Sequence, residues 1–213
     1  MRGYGYDAVV LSGGRGSRLG GVVKARLLSR AGATVVPLLR RVVSAAEGAR
    51  RIVVVGDGVA GLPSTVHLVR ENPAFGGPVA ALDAGVQELE REGRQEEFVL
   101  VLACDMPEIG QAVDGLLAAA ASDPRHDGVL AIDAAGRAQY LAAVYRYTAL
   151  RGALASAREL GVDGMSMRAL LHGLQLGDCP VPLGTTDDVD DWDDAVRMGV
   201  TAPSAPENRE DQT

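Results

Sequence analysis

Seven short apolar runs punctuate the chain: 6–11 (YDAVVL), 51–56 (RIVVVG), 65–70 (TVHLVR), 98–104 (FVLVLAC), 127–133 (DGVLAID), 140–146 (YLAAVYR) and 174–181 (LQLGDCPV). Most are apolar at consecutive positions, the pattern of strands covered on both faces in a largely parallel sheet. Between them, segments 35–49, 77–93 and 110–123 carry apolar residues at helical spacing, and Pro78 stands at a plausible first helical position. Three later helices are expected at 148–161, 166–174 and 191–199. Strands alternating with helices imply a doubly wound α/β layer fold with a mostly parallel sheet. Segment 201–213 is polar and proline-containing, so it is expected to be a disordered tail behind a single domain spanning 1–200.

Composition narrows the classes of partner. A chain of 213 residues, 47% hydrophobic, buries one full-sized core. Its net charge of −7 argues against a nucleic-acid partner, because phosphate backbones require a basic face. The longest apolar stretches are too short to span a bilayer, and the opening MRGYGYD lacks the apolar core of a signal peptide. Neither a membrane partner nor secretion is expected, and cytoplasmic residence follows by default. Cys104 and Cys179 make no disulfide framework and read as small buried residues; His67, His126 and His172 are too dispersed for a zinc site.

An anionic ligand would therefore need a local basic site, and the loop after the first strand offers one. LSGGRGSRLGGVVK, residues 11–24, ends on Lys24, the only lysine in a chain with twenty arginines, and it also holds Arg15 and Arg18. Five of its residues (Gly13, Gly14, Gly16, Gly20 and Gly21) are glycines that let successive backbone N–H groups approach an anion. Two commoner phosphate loops fail here. A dinucleotide fingerprint starting at Gly14 meets Leu19 where its third glycine is needed, and a P-loop needs Lys directly after glycine, where Val22 follows Gly21. A polyphosphate cradle at a strand's carboxyl end remains the favoured reading, against a merely solvated connection.

Asp105 ends the run FVLVLACDMP, so a hydrophobic strand stops on a carboxylate facing the same crevice. Magnesium usually takes one or two carboxylates together with substrate phosphates, which is what Asp105 would supply; the competing use is a helix N-cap. RENPAFGGPVAAL, residues 70–82, reads as another strand, turn and helix on the crevice side. The late run DDVDDWDDA, residues 187–195, holds six aspartates, most of them expected only to favour a helix N-terminus.

LSGGRGSRLGG with Lys24, RENPAFGGPVAAL, LACDMP, GRAQYLAAVYR, SMRALL and DVDDWDDA fall in the order and spacing of one family. The chain up to about Gly199 resembles the molybdenum cofactor guanylyltransferases and related nucleotidyltransferases. The resemblance implies a Rossmann-like, three-layer nucleotidyltransferase fold that binds GTP and Mg²⁺. It also implies transfer of GMP to the terminal phosphate of molybdopterin or its molybdenum-loaded form, with cofactor-biosynthesis or molybdoenzyme partners downstream. Carried onto this sequence, Leu11, Ser12, Gly13 and Gly14 line the nucleotide pocket, with Gly56 and Asn72 adding contacts. Lys24 meets the phosphates, and Asp105 contacts GTP and holds magnesium; on charge alone, Arg15 and Arg18 join Lys24 on the leaving pyrophosphate and Asp190 is a candidate second magnesium ligand. The pair Gly13-Gly14 resembles guanine-using members, whereas cytidylyl-transferring relatives usually have alanine then glycine. Arg137 and Arg168 are weaker candidates for the acceptor phosphate, with surface packing an equal alternative.

Three positions depart from the family pattern. Val23 precedes the lysine where Asp is general, Asn72 stands where many members have Asp, and Tyr140 replaces a usual proline. The first two remove negative charge near the phosphates and metal, which keeps a nucleotide-binding protein without turnover as one alternative. Transfer to another phosphorylated acceptor is the other, because the shared fold leaves the acceptor side to variable loops.

Overall fold

The computed structural model describes residues 5–14, 17–91 and 93–203. Among them are the strands β1 (Tyr6–Ser12), β2 (Leu28–Ala31), β3 (Thr34–Pro37), β4 (Ile52–Gly56), β5 (Val66–Val69), β6 (Phe98–Ala103), β7 (Gly128–Ile132), β8 (Ala138–Arg146) and β9 (Leu176–Pro180). Seven of them form one sheet in the order β5-β4-β1-β6-β8-β7-β9, and β2 pairs with β3 apart from it. The β5-β4-β1-β6 half is parallel, as is the β7–β9 pair; β8 alone runs against its neighbours. The mostly parallel α/β expectation holds, and the antiparallel strand arises because β7 and β8 are joined by a short turn instead of a helical crossover.

Every residue of β1, β4 and β6 is buried. Alternation splits their side chains between two faces. Val10, Val54, Leu100 and Leu102 pack under α1 (Leu38–Ala45) and α3 (Gly110–Ser122). Val9, Val53, Val55, Val99 and Val101 pack under α2 (Pro78–Glu90), α4 (Tyr147–Leu160) and α5 (Met167–Leu170). This is the three-layer Rossmann-like nucleotidyltransferase arrangement, and it explains why these strands read as unbroken apolar runs. The helix on the second face lies close: a Cβ at Gly85 of α2 would stand 2.6 Å from a Val9 methyl carbon.

A third, small cluster positions the site. Leu19, Leu27, Leu38, Val189, Ala195 and Val200 pack together, joining the end of the glycine loop to α6 (Trp192–Arg197). Thr201 exchanges both backbone hydrogen bonds with Leu28, at 2.8 and 2.9 Å, just past the expected domain boundary at residue 200. Residues 204–213 of the expected tail lie outside the described residues.

Local expectations are corrected at two places. The helix expected from residue 35 begins at Leu38; Thr34–Pro37 is instead β3, paired antiparallel with β2. The glycine of Ala31-Gly32-Ala33, at φ +61, turns that hairpin, and β-branched Thr34, Val35 and Val36 suit an extended chain. Cys179 is half-buried on the edge strand β9 and not enclosed like Cys104.

Candidate functional site

The carboxyl ends of β1, β4 and β6 finish in register, with Leu11 opposite Val55 and Ala103, and Ser12 opposite Gly56. Their loops open on one crevice, with a cavity of about 320 Å³. Leu11, Gly13 and Gly14 line it from the β1 loop, Glu71, Phe75 and Gly77 from the β5–α2 connection, and Pro78 and Ala81 from the first turn of α2. Ala103, Cys104 and Asp105 make the floor, with Leu141 of β8 beside them. The lining is mainly apolar with a few polar groups, the usual make-up of a small-molecule pocket.

The glycine loop is held from below. The buried Ser12 hydroxyl donates to the Asp57 carbonyl at 2.5 Å. Gly56 has φ +115, and a Cβ there would sit 2.9 Å from the Gly13 nitrogen and the Ser12 carbonyl carbon. Gly56 is glycine because the β1 loop crosses directly over it. It therefore shapes the pocket from underneath, while Gly13 and Gly14 stand in the wall.

At the Asp105 end the site becomes highly polar. Lys24 opens a short 3-10 turn, Lys24–Arg26, and its ammonium donates to Asp105 Oδ2 at 2.9 Å and to Asp190 Oδ1 at 2.6 Å. Arg18 reaches the other Asp190 oxygen at 3.4 Å. Asp188 joins them: ligand oxygens of Asp105, Asp188 and Asp190 all lie within 4.8 Å of one another. The buried Val189 brings the late segment in by packing in the third cluster and donating its N–H to the Asp105 carbonyl at 3.1 Å. With Val189 turned inward, its neighbours Asp188 and Asp190 reach the same crevice.

Burial by itself would lower the Lys24 pKa, but the Asp105 charge and the hydrogen bonds to Asp190 and Asp105 outweigh it and hold the ammonium above its ordinary value. The Asp188 carboxyl moves the other way for an acid. Although its side chain reaches solvent, partial desolvation, followed by the charges of Asp190 and Asp105, raises its pKa. Burial and the neighbouring Asp105 charge push the Cys104 thiol far up, so it serves as neutral wall.

Asp105 caps no helix, since α3 begins at Gly110 behind Ile109. The late aspartates divide as their placement dictates. Asp191 caps α6 by accepting from the Asp194 backbone N–H at 2.9 Å, and Asp187 and Asp194 pair with Arg197 at 2.6 and 2.9 Å. Asp188 and Asp190 turn to the crevice. The three carboxylates are hard oxygen donors of the kind a divalent cation takes, and the ammonium already lying between two of them marks a place where positive charge is favoured.

Of the residues expected from sequence, Leu11, Gly13, Gly14 and Asp105 line the cavity, and Lys24, Arg18 and Asp190 gather at its polar end. Asn72 is exposed and is not in the wall; its neighbour Glu71 is. Arg15 lies outside the described residues. Arg137 is engaged with Asp133 at 2.7 Å within its own hairpin turn, and Arg168 is exposed on α5. Sequence reasoning passed over Glu71, Phe75 and Asp188. For Asp188, spacing of two from Asp190 across a valine was the available signal, since alternate residues of an extended segment share a face.

The family model of the MobA-like NTP transferase domain matches residues 8–176. No curated protein matches in sequence. Among solved structures, a homologue of Mycobacterium tuberculosis Rv0371c from Mycobacterium sp. strain JC1 is 22% identical, with TM-score 0.63 over 91% of this chain and 94% of that one. Molybdopterin-guanine dinucleotide biosynthesis protein A from Archaeoglobus fulgidus is 17% identical, with TM-score 0.65 over 90% and 96%. The 2-C-methyl-D-erythritol 4-phosphate cytidylyltransferase of Thermus thermophilus is also 17% identical, with TM-score 0.60 over 90% and 96%. At these identities the likeness is one of fold.

Proposed function

The chain belongs to the family of MobA-like NTP transferase domains, and from that membership we propose that it transfers GMP from GTP to the terminal phosphate of molybdopterin, releasing pyrophosphate. The observation that carries the reading is the junction, at Asp105, of a mainly apolar pocket with the cluster of Lys24, Arg18, Asp188 and Asp190. A nucleoside fits the first part, and a triphosphate with its counter-cation fits the second.

In this reading Leu11, Gly13 and Gly14 receive the nucleoside, with Ser12 and Gly56 holding the loop beneath it. Lys24 and Arg18 take the β- and γ-phosphates, where their charges stabilise the departing pyrophosphate. Asp105, Asp188 and Asp190 hold magnesium, which supplies charge neutralisation on the phosphates. An oxygen of the acceptor phosphate attacks the α-phosphorus in line as the bond to pyrophosphate breaks. That oxygen is already ionised near neutrality, so alignment matters more than a general base. Cytoplasmic residence and transient contacts with cofactor-biosynthesis partners belong to the same proposal.

Val23 and Asn72 keep binding without turnover as the competing reading, but Asp188 weighs against it by bringing a third carboxylate to the cluster. The fold likeness to a cytidylyltransferase keeps a different phosphorylated acceptor open. Pyrophosphate release from GTP, CTP, ATP and UTP, each alone, with molybdopterin and with a sugar phosphate, together with a calorimetric titration of GTP, tests all three. Release only from GTP with molybdopterin is expected. Release from CTP, or with a sugar phosphate but not molybdopterin, moves the assignment to another acceptor, and no release alongside tight GTP binding leaves a binding protein.

A further inference from the structure

One side chain outside the crevice touches both segments that build its polar end. Arg41 stands on α1, whose Leu39, Val42 and Val43 are buried in the first of the two large core clusters. Each nitrogen of its guanidinium takes a different acceptor. Nε donates to the Pro107 carbonyl, Nη1 to the Arg30 carbonyl, and Nη2 to Glu108 Oε1 at 2.6 Å. Glu108 is itself held, because Oε2 accepts from Gln111 Nε2 at 3.0 Å. Pro107 and Glu108 follow closely on Asp105, whereas Arg30 lies on β2, the strand that leaves the Lys24 turn.

Residues 104–109 belong to neither β6 nor α3, so Asp105 has no sheet ladder or helix to fix it. The Cys104 N–H donates to the Leu11 carbonyl at 2.9 Å and the Ile109 N–H to the Met106 carbonyl at 3.2 Å, but Pro107 between them has no N–H to give. On the other side, the Leu27 N–H donates to the Lys24 carbonyl at 3.0 Å, and the Leu38 N–H to the Leu27 carbonyl at 2.8 Å. The first residue of α1 is thereby tied to the Lys24 turn. Arg41 lies one turn further along the same helix, so α1 and its guanidinium hold the two segments at a set separation. A planar fork with directed donors does this; an ammonium on a flexible stem does not reproduce it.

We propose that Arg41 is a positioning residue that sets the approach of Lys24 to Asp105, 2.9 Å apart, although it lines no part of the cavity. Its catalytic consequence rests on the nucleotidyltransferase reading above. In-line transfer depends on alignment, so a small displacement of Lys24 or Asp105 lowers turnover more than it lowers nucleotide binding. The physical link from Arg41 to the Lys24–Asp105 pair stands apart from that reading and is measurable without nucleotide.

A double-mutant cycle on the full chain, read by thermal melts in chelator without nucleotide, tests the link. In an Arg41→Lys background, Lys24→Met should lower the melting temperature by about half of what it does in the natural protein, because a pair already displaced has less to lose. Arg146→Lys is the control. Arg146 braces the amino end of the sheet in the same manner, with Nε on the His126 carbonyl at 2.9 Å, Nη2 on the Ala120 carbonyl at 3.4 Å and Nη1 on Glu97. In that background Lys24→Met should keep its full effect. Pyrophosphate release from GTP with molybdopterin then reads the consequence for the reaction. Arg41→Lys should lower kcat about tenfold or more and leave KM for GTP within about threefold, while Arg146→Lys leaves both near their natural values. Glu108→Gln keeps an acceptor for Arg41 but removes the charge; it should show the same pattern in weaker form, and it carries the test if Arg41→Lys does not fold. A full Lys24→Met effect in the Arg41→Lys background overturns the proposal. So does a kcat that Arg41→Lys lowers no more than Arg146→Lys does, since both would then be braces of the fold alone. No release by the natural protein removes the proposed function, and the melting cycle by itself then decides whether Arg41 sets the pair.

Discussion

Replacing Lys24 with methionine removes the one charge lying between Asp105 and Asp190 while keeping most of the side-chain volume. Lys24 and Asp105 are 19% and 18% exposed, and Asp190 is 45% exposed. The network therefore lies between exposed pairs, worth about 0–1 kcal/mol, and buried pairs, whose one-sided removal costs about 3–5 kcal/mol. A loss of about 1–3 kcal/mol is expected in chelator, because Asp105, Asp188 and Asp190 are left facing one another without a cation. For a domain of this size each kcal/mol moves the melting temperature by about 2–4 °C, so a fall of about 2–12 °C is expected. The raised pKa of Lys24 means its contribution is complete below the ordinary lysine value and is lost only as pH rises through the folded value. The full effect should therefore be present at neutral pH. Magnesium should then act differently on the two proteins. In Lys24→Met a tenfold excess over the dissociation constant restores about 1.4 kcal/mol, whereas in the natural protein the ion must first displace the ammonium and gains less. Thermal melts with chelator and with magnesium, without nucleotide, read this directly. Equal melting temperatures in chelator would refute the strength assigned to the network. Equal magnesium stabilisation of the two proteins would refute the idea that lysine and metal share one place.

Asp105→Asn should lower pyrophosphate release by roughly 100-fold or more and lower the melting temperature less than Lys24→Met does, since Lys24 keeps Asp190 as a partner and Asp188 and Asp190 lose a like-charged neighbour. A stopped-time assay that finds normal turnover would remove Asp105 from the metal set. Asp188→Asn should stabilise the metal-free protein at pH 8, where the natural carboxylate is charged beside Asp190 and Asp105. For an acid with a raised folded pKa the penalty is lost as pH falls through that value towards the ordinary carboxylate range, so the gain should shrink as pH falls; a gain independent of pH would contradict the placement. Gly56→Ala should cost about 2–4 kcal/mol, because its Cβ would meet the Ser12–Gly13 backbone at 2.9 Å from a left-handed φ. Nucleotide affinity should fall in parallel, and an unchanged denaturation midpoint would show that the loop has room to shift.

Much of the scaffold can be read from the chain alone. Residues 8–11, 52–55 and 98–104 are apolar without alternation because both faces of β1, β4 and β6 are covered, and local composition records that burial faithfully. The glycine loop and Asp105 were legible for a related reason: each follows directly from a strand end, and the carboxyl ends of parallel strands share one crevice, while Lys24 stood out as the only lysine, closing that loop. Pro78 likewise announced the start of α2. The tertiary structure decided what lies between distant segments. Lys24 meets Asp105 across 81 positions and Asp190 across 166, and no local periodicity encodes either meeting. Asp188 and Asp190 differ from the capping and pairing aspartates around them only because Val189 packs with Leu19, Leu27 and Leu38 and draws that segment to the glycine loop. Glu71 stands in the pocket while Asn72 faces solvent, a choice set by how the β5–α2 connection folds around Phe75. Chain chemistry thus determined which strands are buried and which loops carry charge, because those properties are local. Which charges meet depended on long-range packing, where one buried valine decides the direction of its two neighbours.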